Sequence, residues 1–342
     1  MGLTDSFMQT RQAATFLRRG FRISLLLGVG TIPLVIVEKL KPPKATQLWK
    51  AVFNSGHAVL FGFFAVSILI LSATLTKRSR PAKYHYYLAF WLSTAVGLLA
   101  EALQIYGPRS ADIGDFIRNV LGIGSFLLFA STFDGPIVPS NENARSYSIW
   151  YRRLVATAIL CVAFIPVIVM STAYVQRASA FPSICRFRAG WEQHFVETSG
   201  CEISQRALPD RWQKVSLDSA TYVTFHTGRY RVLSFEEAYP DWTGYARLVF
   251  TIYLVSPEPI ELRLRIEDER YGRQSSDRFD EALHIGPGVN RIAIPLTEVR
   301  RGPQTRVLDM SRIQRVSLRA VRPSVPFSFY LDGFRLDEEM SR

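Results

Sequence analysis

Apolar and polar positions follow different rules on either side of about residue 177. Before it, apolar runs long enough for bilayer-crossing helices occupy residues 21–37, 57–75, 86–103, 116–133 and 154–174. After it the period falls to two. Ile260, Leu262, Leu264 and Ile266 alternate with Glu261, Arg263, Arg265 and Glu267. Leu248, Phe250, Ile252 and Leu254 alternate with Val249, Thr251, Tyr253 and Val255, so both faces of that segment look buried. Similar sets follow at Ile292, Ile294 and Leu296, at Val316, Leu318 and Ala320, and at Phe327, Phe329 and Leu331. Turn signals separate them, among them Gly286-Pro287-Gly288 and Arg301-Gly302-Pro303. The pattern predicts two domains. Residues 1–177 form a helical bundle of five transmembrane spans, and residues 178–342 form an all-β jelly-roll sandwich of about eight strands.

Charge sharpens this division. The net charge is +12, but residues 1–174 hold 17 Lys/Arg against 7 Asp/Glu, while residues 175–342 hold 24 against 22. The excess belongs to the helical half, where basic loops set orientation and meet anionic lipid. No basic face with interleaved aromatics points to nucleic acid. An inside N-terminus leaves 11 basic residues in the inner segments and 5 (Lys39, Lys41, Lys44, Lys50 and Arg109) in the outer loops. Lys and Arg thus place the N-terminus in the cytoplasm and, after five crossings, the C-terminal domain outside. The first outer loop is as basic as the second inner one and departs from the rule. The first run carries Pro33, and Val35-Ile36-Val37-Glu38 lacks a small-residue cleavage pattern, so it is predicted to stay as an anchor. Outside the cytosol Cys185 and Cys201 would tend to pair, and a disulfide is predicted there; Cys161 reads as an apolar packing residue.

Polar groups break the apolar runs at few places. His57 opens the second run, Glu101 and Gln104 close the third, and Asp115 and Asn119 open the fourth after a loop holding Arg109 and Asp112. The predicted topology brings all seven to the outer membrane face as one polar cluster. An acid at the depth of Glu101 faces a bundle interior or a hydrated cavity. For Asp115 the alternative is a helix cap, and for Arg109 and Asp112 a loop ion pair.

His57-Ala58-Val59-Leu60-Phe61-Gly62, Glu101-Ala102-Leu103-Gln104, Gly107-Pro108-Arg109-Ser110-Ala111-Asp112-Ile113-Gly114-Asp115 and Asn119-Val120-Leu121-Gly122 together resemble the VanZ-like family in order, spacing and placement. The resemblance covers residues 18–133. It implies a multi-pass protein of the bacterial plasma membrane, with a family link to glycopeptide antibiotic resistance and no defined chemistry. In the second half, Asp241-Trp242-Thr243-Gly244-Tyr245, Gly286-Pro287-Gly288-Val289-Asn290 and Tyr330-Leu331-Asp332-Gly333-Phe334 resemble galactose-binding-like jelly rolls, a class that includes carbohydrate-binding modules. Trp191, Trp242 and Tyr245 are candidate ligand aromatics, with core packing the competing role, particularly for Trp242.

Two functions follow as expectations. One is a binding protein of the cell envelope, anchored in the bilayer, whose outer domain contacts glycan or another envelope polymer. The other is a membrane-embedded enzyme acting on a lipid-linked substrate, with Glu101 as general acid or base and His57 as proton shuttle. No nucleophile motif, phosphate-cradling loop or metal-ligand spacing occurs, so no cofactor or metal is called for.

Overall fold

The computed structural model describes residues 28, 46–76, 80–104, 113–134, 142–188, 190–209, 219–272 and 274–338. The chain divides into two compact units, residues 1–169 and 170–342. The predicted first span, 21–37, lies outside the described residues except for position 28.

In the first unit α1 spans Gln47–Leu75, α2 Ala82–Gln104, α3 Ile113–Ala130 and α4 Glu142–Ala163. The Thr46 hydroxyl caps α1 by accepting from the Trp49 amide at 3.3 Å. The helix therefore begins ten residues before the predicted run. Small residues set the packing. A side chain at Gly122 of α3 would strike the Ala58 backbone of α1, and one at Gly62 would strike the Phe126 ring. Bare glycines thus let α1 and α3 approach backbone to backbone at Gly122 and backbone to side chain at Gly62. Phe61, Phe64, Ala65, Ala89, Ile123 and Leu127 form the buried core between α1, α2 and α3.

Among the described residues two helices, α1 and α3, are long and apolar enough to cross a membrane. A third crossing is counted if α4 and α5 (Ile165–Ala180) form one broken span. The expected five spans are therefore not shown, and the predicted span 154–174 is not one straight helix. It bends by 54° at Phe164. The cause is Pro166, which has no amide to donate and whose ring crowds the preceding turn.

The second unit begins inside α5, where Met170, Ala173 and Tyr174 pack against the sandwich core. It continues through β1 (Ser183–Cys185), β2 (Val196–Ser199), β3 (Cys201–Ala207), β4 (Ser219–Phe225), β5 (Tyr230–Glu236) and β6 (Arg247–Leu254). Then come β7 (Ile260–Asp268), β8 (Phe279–Ile285), β9 (Gly288–Pro295), the short α6 (Leu296–Arg301), β10 (Ile313–Val321) and β11 (Phe327–Asp337). One sheet has the order β3-β4-β11-β6-β9, with β1 also on β11, and the other β2-β5-β10-β7-β8. All pairings are antiparallel. Without β1, β2 and β3, the remaining four-on-four order is that of a jelly roll, the chain crossing between sheets as it winds. The predicted alternation supplies the core: Leu262, Leu264 and Ile266 of β7 and Val316, Leu318 and Ala320 of β10 face Leu248, Phe250, Ile252 and Leu254 of β6. The other face of β6 is also partly covered, since Tyr253 packs with Leu208, Ala220 and Tyr330.

The expected disulfide is not formed; Cys185 and Cys201 are free and buried. Cys185 pairs with Phe334 at one end of β11, whereas Cys201 pairs with Phe225, itself opposite Phe327 at the other end. Seven residues of strand at about 3.3 Å each separate the two levels, far beyond the roughly 6 Å between bridged Cα atoms. The Cys201 thiol donates to the Val232 carbonyl at 3.0 Å, and burial pushes its pKa up to about 11. Burial holds the Cys185 thiol well above its ordinary range. The cysteines therefore give no support to an outside location, which rests on Lys and Arg alone.

Candidate functional site

Among the described residues an extended polar network lies on the outward face of the five-stranded sheet. Strand pairing assembles it from segments distant in sequence. Ser317 of β10 stands between Ser234 of β5 and Arg265 of β7, and Arg315 stands between Glu236 and Glu267. Arg319 stands between Val232 and Arg263. Because side chains alternate across a strand, the residues flanking the core positions all point to this outer face.

A cleft of about 240 Å³ runs over this face, and Tyr271 and Arg278 close one side. Its charges interlock. Arg315 Nε lies 2.6 Å from Glu236, and Arg315 Nη1 lies 3.1 Å from Glu267. The Ser234 hydroxyl donates to Glu236 at 2.8 Å. Arg278 donates to the Tyr271 hydroxyl at 2.5 Å and lies 3.4 Å from Asp280. Asp280 is shared, with Arg263 at 2.6 Å and Arg265 at 2.7 Å. Burial raises the Glu267 pKa, while Arg315 and Arg278 pull the other way. The side chains of Arg265 and Arg278 are only 13 % and 10 % exposed. The Arg265 Nε is the atom that meets Asp280, whereas the Arg278 Nε is buried with no hydrogen-bond partner among the described residues. Chemically the cleft offers hydroxyls, carboxylates and planar guanidinium donors beside one aromatic ring, a set suited to hydrogen-bonding a hydroxyl-rich ligand.

The predicted ligand aromatics lie elsewhere. Trp242 is 1 % exposed and donates its indole N–H to the Tyr239 carbonyl at 2.8 Å, a core role. Trp191 packs edge-on against Phe195 and Phe235 at the core boundary. Tyr245 is half-buried with its ring against Phe181. Trp242 and Tyr245 do line a separate cleft of about 500 Å³ beside α6. Asp332 pairs with Arg188 at 3.2 Å. Among the described residues no group of three or more metal-ligating side chains occurs.

The membrane-face cluster is described in part. Arg109, Asp112 and the Gln104 side chain lie outside the described residues. His57 directly precedes Ala58, where α1 crosses Gly122. Asn119 lies one turn before Gly122, with its amide nitrogen 3.5 Å from the place a side chain would take at Gly97 of α2. One turn further towards the connection between α2 and α3 stand Glu101 and Asp115, both buried. Asp115 pairs with Arg118 on its own helix. Neither polar atom of the Asn119 side chain has a hydrogen-bond partner among the described residues, although the residue is 1 % exposed. The packing thus sets His57, Glu101, Asp115 and Asn119 near one end of the three-helix contact.

No protein-family profile matches the chain, and no curated protein does. Solved structures do show similarity. A family 11 carbohydrate-binding module from Clostridium thermocellum, in complex with a β-1,3-1,4-mixed-linked tetrasaccharide, is 15% identical, with 47% of this chain and 96% of that chain covered and a TM-score of 0.36. A family 28 module specific for non-crystalline cellulose is 12% identical over 46% of this chain and 95% of its own, with a TM-score of 0.32. An exo-β-agarase is 16% identical over 47% of this chain and 25% of its own, with a TM-score of 0.38. The assignment of the β unit as a jelly roll stands on its strand order.

Proposed function

We propose that this chain is a membrane protein of the bacterial cell envelope whose jelly roll binds glycan through the cleft on its five-stranded sheet. The observation that carries the reading is the cleft itself. Serines, guanidinium groups and carboxylates line it together and are held in place there by mutual ion pairs. A ligand rich in hydroxyls completes such a surface at little ordering cost, because the groups are already fixed.

Placement in the plasma membrane, with the N-terminus cytoplasmic and the jelly roll extracytoplasmic, completes the proposal. Its support is the helical surface: Phe63, Ile70, Trp91, Leu98 and Leu99 point outward from their helices. Apolar side chains in such number on an outer surface mark an interaction with lipid or protein. The VanZ-like resemblance extends the proposal to the end of the bundle near Glu101 and Asn119, as a place where lipid-linked envelope precursors are met, and to glycopeptide tolerance as the phenotype. The catalytic reading with Glu101 gains no separate observation.

The test is sedimentation of the full detergent-solubilised chain with insoluble envelope glycans. Retention should fall at least tenfold in Arg315→Ala, which strips Glu236 and Glu267 of their shared partner and disorders the cleft. The absence of retention on every polymer would end the glycan reading. A strain lacking the protein should show altered glycopeptide sensitivity, and unchanged sensitivity would remove that phenotype while leaving glycan binding untouched.

A further inference from the structure

The guanidinium groups of the cleft outnumber its carboxylates, and the surplus has an address. Arg265, Arg278, Arg315 and Arg319 line it, against Glu197, Glu236 and Glu267. Arg315 shares Glu236 and Glu267, and Arg265 and Arg278 share Asp280 just beside the cleft. Arg263 draws on the same Asp280. Arg319 has no carboxylate within ion-pair distance among the described residues. Its guanidinium instead sits over the Tyr230 ring, 5.6 Å from the centroid, and Arg229 lies against that ring at 5.5 Å. Across the strands its neighbours are Val232 and Arg263, so no acid adjoins it in register.

A partly buried cation beside a second cation is uncompensated charge in a site of reduced dielectric. Burial lowers the proton affinity of Arg319, as expected of a charge short of a partner, yet a guanidinium stays charged at neutral pH. The planar fork suits a carboxylate or a similar oxyanion. A neutral glycan would leave this charge as it is; an acidic one would neutralise it.

Resting on the glycan reading above, we infer that the cleft selects acidic saccharides, with the sugar carboxylate received by Arg319 at the Tyr230 end and the neutral hydroxyls by Ser234, Ser317 and the ion-paired array. Arg319 is thus the specificity-determining residue of the site.

The experiment uses the full chain in nanodiscs against matched polymer pairs: polygalacturonate, hyaluronan and peptidoglycan glycan strands, each with its carboxylates free or methyl-esterified. The free-acid form should bind at least about tenfold more tightly at low salt, the scale of one charge-assisted hydrogen bond. In Arg319→Gln the gap should close to within about twofold, the free-acid form losing more affinity than the esterified one. Equal binding of both forms by the unsubstituted chain, or a preference for the acid that survives Arg319→Gln, would overturn the inference while leaving glycan binding in place. Failure of every polymer in both forms would remove the glycan reading and the inference together.

Discussion

Gly122 shows how much a single hydrogen in place of a side chain decides. The Ala58 carbonyl occupies the volume that any other residue would need. Gly122→Val should therefore force α1 and α3 apart and lower stability by about 1–3 kcal/mol, the usual cost of overpacking. Thermal unfolding of the detergent-solubilised chain, followed by tryptophan fluorescence, measures this; an unchanged midpoint would mean the helices do not cross there. Glu267 gives a second residue-scale expectation. Its folded pKa is raised above the ordinary 4.5, chiefly by burial. A carboxyl that holds its proton more tightly when folded makes stability fall as pH rises from the unfolded value through the folded one. Asp277 and Asp309 act oppositely. Their values are lowered from 3.8, by hydrogen bonds from the Gly272 amide and the Ser311 side chain respectively. Their contribution is present above about pH 4 and is lost as pH falls through their folded values. Urea midpoints should thus rise with pH up to about 4 and then dip as pH climbs further; Glu267→Gln should shrink the dip and leave the part due to Glu281, which burial also raises.

At the scale of elements, period-two alternation was enough to place β6, β7, β9, β10 and β11, because apolar positions such as Leu262, Leu264 and Ile266 each face the core. It also marked β6 as covered on both sides, which the small cluster around Tyr253 explains. The cleft was not legible. In the sequence Arg263, Arg265 and Glu267 are only the polar half of an alternation; pairing sets them beside Glu236 and Arg315, up to 79 residues apart. The only signal in the sequence was charge concentrated on strands that turn out to be central in their sheet. Trp242 was legible for its size but not its role, since a large aromatic fills a core as readily as it stacks on a ligand. Pro166 was visible in the fifth apolar run, yet hydropathy alone cannot distinguish a straight helix from a broken one. The bulge of β11 was hidden as well. There the register with β6 shifts between Asp332 and Arg335, and Gly333 adopts a φ of +27°. A side chain at Gly333 would come within 2.7 Å of the Arg186 Cα on the neighbouring segment. Gly333→Ala should destabilise the sandwich by about 1–3 kcal/mol, read as a lower urea midpoint, whereas Gly244→Ala, with open space around it, tests the strain of positive φ alone.

For the whole molecule, the division of labour between a helical unit and a jelly roll followed from composition, but the number of crossings did not. α2 carries Lys83, His85 and Tyr86 in its first turns and Glu101 towards its end, which dilutes an otherwise apolar helix. Counting crossings by hydropathy therefore depends on where each window is placed. Sidedness is the property on which the envelope proposal depends; cysteine accessibility tests instead the packing of the jelly roll. Cys161 is exposed, whereas Cys185 and Cys201 are buried. A membrane-impermeant maleimide should leave both jelly-roll thiols unlabelled in the native protein and label them only after denaturation. Labelling of either in the folded chain would contradict their burial.

The two unjoined sulfurs also carry a consequence for biogenesis. A sandwich closed by packing rather than by a covalent clasp makes no demand on a thiol oxidase or a disulfide-shuffling chaperone. Its yield should be the same in cells stripped of that machinery, and reductants in the growth medium should not slow its maturation.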